Sequence, residues 1–590
     1  MSGKNPPIHS ERHMRIVCVG FGASGLCFAY KLQRSFTNFS LIVFEKNPEV
    51  SGTWYENRYP GVACDVQAHN YTWSFAPKHD WSRVYAPAQE IYSYFNNFMS
   101  EHNLGKYCKT SHKVVGATWD DEKGIWQVQV EDLAHQRTVY HECDILINAS
   151  GILNNWRWPA IPGLQNYKGT LVHSANWDEN LDLTGKHVGL IGNGSSGIQI
   201  LPAIQPIVDQ LTTFIREPTW ISPPFGTEQR IYTQEEKDKF RNDPDALTLL
   251  RKINETNNNS MLGIYFPDHE LQKKTREDFT RQMREKLKDV PWLQEKLIPS
   301  WGVGCRRLTP GINYLETLSK PNVKVVYGEI EAITEKGCKC DDGIEYPVDV
   351  LICATGFDTT FKPRFPLYGL DGKNLQDEWA LEPRSYLGLA APHMPNYFQF
   401  LGPHCPIGSG PVLIAIEAQA DYMLSLCDRW QTENIHSMSP KNEAVTDFLE
   451  HCQEFMQHTV WIEECRSWYK SGSAAGRVSA LWPGSTLHYL EALREPRGDD
   501  WEIRYTGNRF SWLGNGFSQT ELDDSADLGY YISSRDDSPY ASRRRRRETL
   551  THTGFNARGL QPNGDVNTET DLSTTVEEYV TDRNLGQPHL

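Results

Sequence analysis

Two glycine clusters in the sequence have the spacing that binds the pyrophosphate of a dinucleotide. The first is Gly20-Phe21-Gly22-Ala23-Ser24-Gly25, which follows an apolar run and begins a helical pattern. In such a turn the first glycine permits a tight bend, the second lets a pyrophosphate approach the backbone, and the third lets helix and strand pack closely. The free N–H groups and the positive dipole at the start of the helix then favour the anion.

The second cluster, Gly192-Asn193-Gly194-Ser195-Ser196-Gly197, repeats this spacing and also follows an apolar run. One such turn on its own occurs in many unrelated α/β folds. Two turns in one chain, each followed by a suitably placed charged residue, indicate two dinucleotide sites.

The charged residue that follows each cluster predicts which dinucleotide binds there. Glu45 lies at the end of the next predicted strand, 20 residues after Gly25. A carboxylate at that point accepts hydrogen bonds from two ribose hydroxyls and repels a 2′-phosphate, which favours FAD or NAD. Arg216 lies 19 residues after Gly197, and a guanidinium there suits the 2′-phosphate of NADPH. The neighbouring Glu217 would weaken phosphate binding if it faced the site.

The elements that must position these turns are βαβ units, in which a helix connects two parallel strands. After the first turn the pattern predicts a helix over 24–35. Apolar and β-branched runs predict strands at 14–19, 40–45, 126–130, 144–148, 186–191, 211–215, 323–327 and 349–353.

We therefore predict an α/β fold with two Rossmann-like dinucleotide-binding domains, a helical insertion and a disordered C-terminal tail. The insertion is rich in Glu, Lys, Arg and Gln, and the tail is rich in Ser, Thr, Asp, Arg and Asn without apolar periodicity. The run Arg543–Arg547 fits a solvated tail and also a nuclear or membrane address. The predicted divisions are a polar leader (1–13), an FAD-binding domain (14–153 and 357–519), an NADPH-binding domain (154–228 and 297–356), the insertion (229–296) and the tail (520–590).

The composition excludes several other classes of function. The net charge of −16 over 590 residues argues against nucleic acid as a partner. The 13 cysteines contain no CxxC pair, which indicates free thiols in a reducing compartment, and no motif has the spacing of metal ligands. The N-terminus is polar, and no apolar run reaches the roughly 18 residues that span a bilayer. We therefore expect a cytoplasmic protein.

The segment before the second glycine cluster resembles the fingerprint of Baeyer–Villiger monooxygenases, FxGxxxHxxxW followed by Pro or Asp. Tyr167, Gly169, His173, Trp177 and Asp178 stand at the positions of that fingerprint. Tyr167 replaces the family's Phe and keeps an aromatic ring. The fingerprint separates this family from related N-oxygenating flavoproteins, and it implies an enzyme that binds both FAD and NADPH.

The resemblance extends over residues 14–515, is closest in style to fungal members of secondary-metabolite pathways, and implies two catalytic residues. Asp65 lies in a stretch that is similar to the family's flavin-lining segment. Arg307 lies in Gly304-Cys-Arg-Arg-Leu-Thr-Pro310, which resembles the segment that carries the family's active-site Arg, with Arg306 beside it. A permanently charged guanidinium would stabilise the negative charge that develops during oxygen transfer, and Asp65 would position it.

The glycine turns and the resemblance together imply a set of cofactor contacts and no metal ligands. The cofactor-binding candidates are Gly20, Gly22, Ser24, Gly25, Glu45, Thr53, Trp54, Ala63, Cys64, Asp65, Tyr71, Val114, Gly192, Asn193, Gly194, Ser195, Ser196, Gly197, Gln199, Arg216, Glu217 and Trp468.

The activity that the resemblance implies is oxygen insertion. NADPH reduces FAD, the reduced flavin reacts with O2, and one oxygen atom enters next to a ketone carbonyl to give an ester or lactone. The fungal resemblance implies a polyketide or terpenoid ketone. An N- or S-oxygenating flavin monooxygenase or a flavin hydroxylase would share both nucleotide folds, and a non-catalytic flavoprotein is a further alternative.

Overall fold

The computed structural model describes residues 6–224 and 228–534, and two five-stranded parallel sheets form its framework. In spatial order the first sheet consists of β19 (Tyr397–Gln399), β7 (Ile145–Asn148), β1 (Met14–Val19), β2 (Phe39–Phe44) and β3 (Cys108–Lys109). The second consists of β13 (Val323–Tyr327), β10 (Gln210–Ile215), β9 (His187–Ile191), β17 (Val350–Cys353) and β8 (Thr170–His173). The predicted α/β class is confirmed, and each sheet draws strands from two separate parts of the chain.

Smaller sheets surround this framework. One has the order β18 (Leu367–Tyr368), β4 (His112–Asp120), β5 (Ile125–Asp132) and β6 (Arg137–Cys143), and another joins β14 (Ile330–Ile333), β15 (Gly337–Cys340) and β16 (Glu345–Pro347). Two-stranded pairs are formed by β11 (Ile221–Ser222) with β12 (Thr309–Pro310) and by β20 (Ile435–Pro440) with β21 (Trp501–Tyr505).

Helices cover the faces of the sheets and fill the predicted insertion. Outside the insertion they are α1 (Ala23–Ser35), α2 (Thr53–Glu56), α3 (Ala88–Glu101), α4 (Ser195–Ile204), α9 (Tyr314–Thr317), α10 (Leu375–Glu378), α11 (Val412–Thr432), α12 (Asn442–Met456) and α13 (Thr486–Ala492). The insertion contains α5 (Gln234–Asn242), α6 (Pro244–Asn259), α7 (Glu270–Lys286) and α8 (Pro291–Leu297). Short 3-10 helices lie at Leu104–Tyr107, Leu164–Asn166, Ser260–Tyr265, Leu370–Gly372, Val460–Ile462, Gly498–Asp500, Ser511–Leu513 and Thr520–Leu522.

Each parallel sheet has its own apolar core, as expected for strands that are covered on both faces. Helix α1 buries Leu26 and Phe28 against the first sheet. Helix α4 buries Ile200 and Leu201 in the core of the second sheet. The two glycine turns therefore begin helices that are anchored by packing along their length.

The predicted leader and tail are described only in part. Backbone N–H groups of Ile8 and His9 donate to the carbonyls of Phe517 and Trp512, so the leader packs on the late part of the chain. Of the predicted tail, residues 535–590, including Arg543–Arg547, lie outside the described residues. Among the residues that are described, no helix combines the length and apolar character needed to cross a membrane.

Candidate active site

The first glycine turn has the geometry that its sequence predicts. Gly20 has φ +96°, and a Cβ there would lie 2.7 Å from the Ala149 carbonyl oxygen. A Cβ on Gly25 would lie 2.2 Å from the Gly20 carbonyl oxygen, so helix and turn meet without room for a side chain. Helix α1 begins after Gly22 without a side-chain cap, with Ser24 in its first turn. Its first N–H groups thus remain available to an anion.

Glu45 directly follows β2 and lies against this turn. Its carboxylate accepts one hydrogen bond from the Phe21 N–H and one from the Asn47 N–H, each 2.9 Å long. The residue is 4% exposed, and burial raises the pKa of its carboxyl group. The Glu45 carbonyl accepts from the His112 N–H in β4, which places Val114 two residues further along that strand.

The second turn repeats the geometry but is more open. Gly192 has φ +106°, and a Cβ there would lie 2.6 Å from the carbonyl oxygen of Ala354, which directly follows β17. A Cβ on Gly197 would lie 2.2 Å from the Gly192 carbonyl oxygen. A Cβ on Gly194, in contrast, would meet no protein atom within 4 Å. The protein itself therefore gives no steric reason for glycine at this position, whereas an approaching pyrophosphate would.

The polar residues of the second turn bind neighbouring segments. The Asn193 amide donates to the Glu217 carbonyl oxygen at 2.9 Å. The hydroxyls of Ser195 and Thr309 lie 2.7 Å apart, which connects α4 to β12. These contacts fix the turn relative to the strand that ends before Arg216.

Gln199 in α4 connects the second fold to the first. Its amide oxygen accepts from the Tyr59 hydroxyl at 2.9 Å, and its amide nitrogen donates to the Ala63 carbonyl at 3.0 Å. Tyr59 also hydrogen-bonds with Ser196. A Cβ on Gly61 would lie 2.6 Å from the Gln199 carbonyl oxygen. Gln199 and Ser196, predicted as cofactor contacts, thus hold the segment that leads to Asp65.

The charged groups after β10 lie close together. The Arg216 side chain is 50% exposed, and its Nε is 3.6 Å from Glu329 Oε1. Glu217, whose orientation the sequence left open, forms a 3.0 Å ion pair with Arg466. Burial lowers the pKa of Arg306, the positive charge of Arg216 lowers it further, and the negative charge of Glu217 raises it. Arg306 therefore lies near Arg216, although only Arg216 was predicted to bind the phosphate.

The two predicted catalytic residues are in direct contact. Arg307 Nη2 donates to Asp65 Oδ2 at 2.7 Å across 242 positions of sequence. The carboxylate of Asp65 raises the pKa of the Arg307 guanidinium, which stays charged. The Arg307 side chain is 38% exposed and that of Asp65 is 20% exposed, so the pair is partly exposed.

The insertion supports the loop that carries Arg307. The Gln272 side chain in α7 accepts from the Val303 N–H at 3.1 Å and donates to the Val303 carbonyl at 2.8 Å. Gly304 has φ +94°, and a Cβ there would lie 2.7 Å from the Tyr265 ring. Tyr265, which sequence reasoning missed, donates its hydroxyl to the Gly408 carbonyl at 2.5 Å. No motif in the sequence pointed to it, because its role depends on how the insertion folds back.

The predicted flavin-lining residues lie beside the ion pair. Trp54, which follows the exposed Thr53 at the start of α2, donates its indole N–H to the Tyr71 hydroxyl at 3.3 Å. Burial raises the pKa of Tyr71, and the charges of Asp65 and Arg307 both act on it. Cys64 is a buried thiol, and its burial raises its pKa. The structure therefore brings these residues into one cluster with Asp65.

Tyr469 is a further residue of this cluster that the sequence reasoning passed over. It is 2% exposed, and burial raises its pKa, while the guanidinium of Arg307, which hydrogen-bonds to its hydroxyl, lowers it. The ring of Trp468, a predicted cofactor contact, lies with its centroid 4.9 Å from that of Tyr469. The signal was present, because Tyr469 directly follows Trp468 in the motif.

The fingerprint segment forms the edge strand β8 and a buried turn. A Cβ on Gly169 would lie 2.5 Å from the Asp349 carbonyl oxygen, and the Tyr167 hydroxyl donates to the Val348 carbonyl at 2.9 Å. His173 is fully buried, stacks on Trp156 at 4.7 Å and accepts from a backbone N–H through Nδ1. Burial lowers its pKa to about 4, so it is neutral. The fingerprint therefore builds the junction before the second fold.

One expectation about the cysteines is wrong. Cys305 and Cys465 form a disulfide, with their Cα atoms 6.4 Å apart, whereas the other cysteines are free thiols. No spacing in the sequence signals this pair, because the two cysteines are 160 positions apart and only the fold brings them together. In the described ranges, no group of three or more His, Cys, Asp or Glu side chains could hold a metal ion.

Comparisons with known proteins agree with this geometry. The family model of NAD(P)-binding Rossmann-like domains matches residues 18–88. The FAD-binding monooxygenase moxY of Dothistroma septosporum is 40% identical over 520 residues, which cover 86% of this chain and 83% of that protein. A Baeyer-Villiger monooxygenase of Pseudomonas aeruginosa is 31% identical over 493 residues, which cover 83% of this chain and 91% of that protein.

Solved structures match over the same extent. The closed crystal structure of cyclohexanone monooxygenase superposes with a TM-score of 0.73 at 25% identity, covering 84% of this chain and all of that one. The structure of OTEMO in complex with FAD and NADP gives the same TM-score and identity. The two dinucleotide folds, together with these relatives and structures, define an FAD-dependent monooxygenase that uses NADP as its second cofactor. Within that class, the chain belongs to the Baeyer–Villiger monooxygenases, as its fingerprint predicted.

Proposed function

We propose that this monooxygenase inserts one oxygen atom from O2 next to the carbonyl of an organic ketone and produces an ester or lactone. The observation that carries the proposal is the Asp65–Arg307 ion pair, which joins the first fold to the loop after the insertion. Bound FAD and NADPH would supply the hydride transfer and the activation of O2. The chain's own residues would bind, orient and stabilise charge around them.

The first fold is proposed to hold FAD. The uncapped start of α1 offers N–H groups to the pyrophosphate, and Glu45 keeps lone pairs for the ribose hydroxyls beyond its two backbone contacts. Trp54 and Tyr71 are proposed to line the flavin, because they contact each other beside Asp65. Thr53, Ala63, Cys64 and Val114 stay candidates for further contacts.

The second fold is proposed to hold NADPH. The open space at Gly194 admits a pyrophosphate. Arg216 and Arg306 are two guanidinium groups close enough for their charges to interact, and Glu217 is engaged by Arg466. Two neighbouring cations, of which Arg216 has a half-exposed side chain, favour a dianionic 2′-phosphate. Trp468 is proposed to contact the nicotinamide end, because it lies next to Tyr469 at the ion pair.

Arg307 is proposed to stabilise the charge that appears on the ketone oxygen during oxygen insertion. Its contact with Asp65 uses one N–H group of Nη2, which leaves other N–H groups of the guanidinium for an oxygen. Asp65 fixes the direction of the guanidinium and keeps it charged. A preorganised cation of this kind lowers the barrier only where negative charge develops, as it does on the carbonyl oxygen of a ketone under attack.

The substrate is proposed to be a ketone of fungal secondary metabolism, of polyketide or terpenoid type. Support comes from fungal relatives, among them moxY and the FAD-binding monooxygenase stcW of Emericella nidulans, which is 38% identical over 526 residues. A cytoplasmic location is proposed as well, because the many free thiols are typical of a reducing compartment. The sheet pairings support the proposed division into FAD-binding parts (14–153, 357–519) and NADPH-binding parts (154–228, 297–356).

The test is incubation of the holoenzyme with NADPH, 18O2 and a panel of cyclic and polycyclic ketones, with an amine and a thioether beside them. We expect a product that gains one 18O atom from a ketone. Arg307→Ala should lower product formation by about 10²- to 10³-fold while NADPH still reduces the flavin. The matched control is Arg281→Ala, an exposed arginine in α7.

Two outcomes would contradict the proposal. Oxygenation of the amine or thioether with no ketone product would favour the N- or S-oxygenating alternative. Product formation by Arg307→Ala at the wild-type rate would remove Arg307 from the reaction.

A further inference from the structure

A disulfide joins the two loops that meet at the ion pair. Cys305 lies two residues before Arg307, and Cys465 lies four residues before Tyr469. The two cysteines are 0% and 1% exposed. Of the described cysteines, these alone are bonded, so the covalent link lies beside the residues that are proposed to act in oxygen transfer.

Other contacts fix the loop after Cys465 in the same place. The Gly302 N–H donates to Glu463 Oε2 at 2.7 Å, which ties the loop to the Arg307 segment a second time. Lys470 is 5% exposed, and its ammonium donates to the carbonyls of Ala474 at 2.7 Å and of Glu463. The loop is therefore closed around a buried cation and has little freedom to shift on its own.

The result is that Arg307 is held from two sides. Asp65 of the first fold binds Nη2, and the Tyr469 hydroxyl of the closed loop accepts from the same guanidinium. A guanidinium with two fixed partners has less freedom to rotate, so its remaining N–H groups are also restricted in direction. Displacement of a catalytic group by about 1 Å can cost about 10²-fold in rate.

We propose that the Cys305–Cys465 disulfide is a positioning element for oxygen transfer, because it holds Tyr469 against Arg307 and so fixes the direction of the guanidinium. The inference rests on the role proposed for Arg307. Formation of the bond removes two protons and two electrons from two thiols. O2, the oxidant of the enzyme's own reaction, accepts the two protons and the two electrons and becomes hydrogen peroxide.

The bond itself is tested by counting thiols. The chain has 13 cysteines, so alkylation of the unfolded enzyme with iodoacetamide should add 11 groups before reduction with dithiothreitol and 13 after it, read by intact mass. Thirteen groups without reduction would overturn the proposal at this first step.

Positioning is tested in holoenzyme variants by the rate at which each enzyme releases hydrogen peroxide with NADPH and O2 but without any ketone, a measurement that does not depend on the substrate. Cys305→Ser, Cys465→Ser and the double variant should each change the rate of peroxide release by about tenfold. The change in the double variant should be no larger than the change in either single variant. Tyr469→Phe should change it in the same direction with its disulfide intact. Cys452→Ser, which replaces a buried free thiol in α12, is the matched control.

The outcomes separate the inference from the proposed function. If the cysteine variants lose only thermal stability and release peroxide like the wild type, while Arg307→Ala does not, the disulfide is a structural bond and the inference is wrong. If Tyr469→Phe matches the wild type, the route through Tyr469 is wrong. If Arg307→Ala also matches the wild type, the proposed role of Arg307 fails, and this inference fails with it.

Discussion

The two nucleotide turns share one backbone geometry, but the protein surrounds them differently. At the first, Glu45 is 4% exposed and held by two backbone N–H groups, and a Cβ on Gly22 would lie 3.5 Å from Gly52. At the second, the Arg216 side chain is 50% exposed and Gly194 faces open space. A buried recognition group suits a cofactor that stays bound, and an exposed one suits a cofactor that exchanges. The same motif can thus serve a resident and a visiting nucleotide.

The largest effect is expected from adding a methyl group inside the first turn. In Gly25→Ala the new methyl group would lie 2.2 Å from the Gly20 carbonyl oxygen, and a backbone atom cannot move aside cheaply. We expect at least tenfold less bound FAD, or a chain that fails to fold, measured by flavin absorbance after gel filtration. Gly194→Ala, whose methyl group meets no protein atom, should fold and keep its FAD. Equal FAD content in both variants would contradict the expected difference between the two positions.

A smaller effect is expected at the exposed site. Arg216→Ala should raise the KM for NADPH by about tenfold, because a charge-assisted hydrogen bond contributes roughly 1.5–3 kcal/mol. The KM for NADH should change by less than about twofold, and Arg281→Ala should change neither. If the KM for NADPH and the KM for NADH rise by the same factor, Arg216 does not recognise the 2′-phosphate.

The smallest effect concerns the acidic neighbour. Glu217→Gln removes a negative charge beside the proposed phosphate site and releases Arg466 from its 3.0 Å ion pair. Because exposed ion pairs contribute at most about 1 kcal/mol, we expect the KM for NADPH to fall by about twofold. Steady-state kinetics at two salt concentrations would check this, since salt should reduce the gain. A rise in KM would mean that the pair orders the site.

The local parts of this architecture were predictable from the sequence. Strand, turn and helix follow one another within about thirty residues, and hydrophobic periodicity and glycine spacing report such short-range order. For that reason the predicted bounds of the strands before and after each glycine turn agree with the structure to within a residue, and Glu45 stands directly after β2. The prediction is less accurate for β5, which ends two residues beyond the predicted Val130. The Asp65–Arg307 contact was reachable only through the family resemblance, since 242 positions separate its partners.

The remaining parts of the site depend on tertiary packing. Tyr265 contacts the Arg307 loop because the insertion folds back onto Gly304. Hydrophobic periodicity in the sequence does not predict this tertiary contact. The Cys305–Cys465 bond was missed for the same reason. Cysteine spacing predicts a bridge in short disulfide frameworks, but it carries no information when the fold alone brings two distant cysteines together.

The Gln199 side chain has a consequence for how the two cofactors affect each other. It lies on the helix that begins at the second turn, and it hydrogen-bonds to Tyr59 and Ala63 in the segment that leads to Asp65. Because these hydrogen bonds connect the two, nucleotide binding that orders the helix also orders that segment. Thermodynamic linkage is reciprocal, so occupancy of the flavin site must change the affinity of the nicotinamide site by the same factor as the reverse.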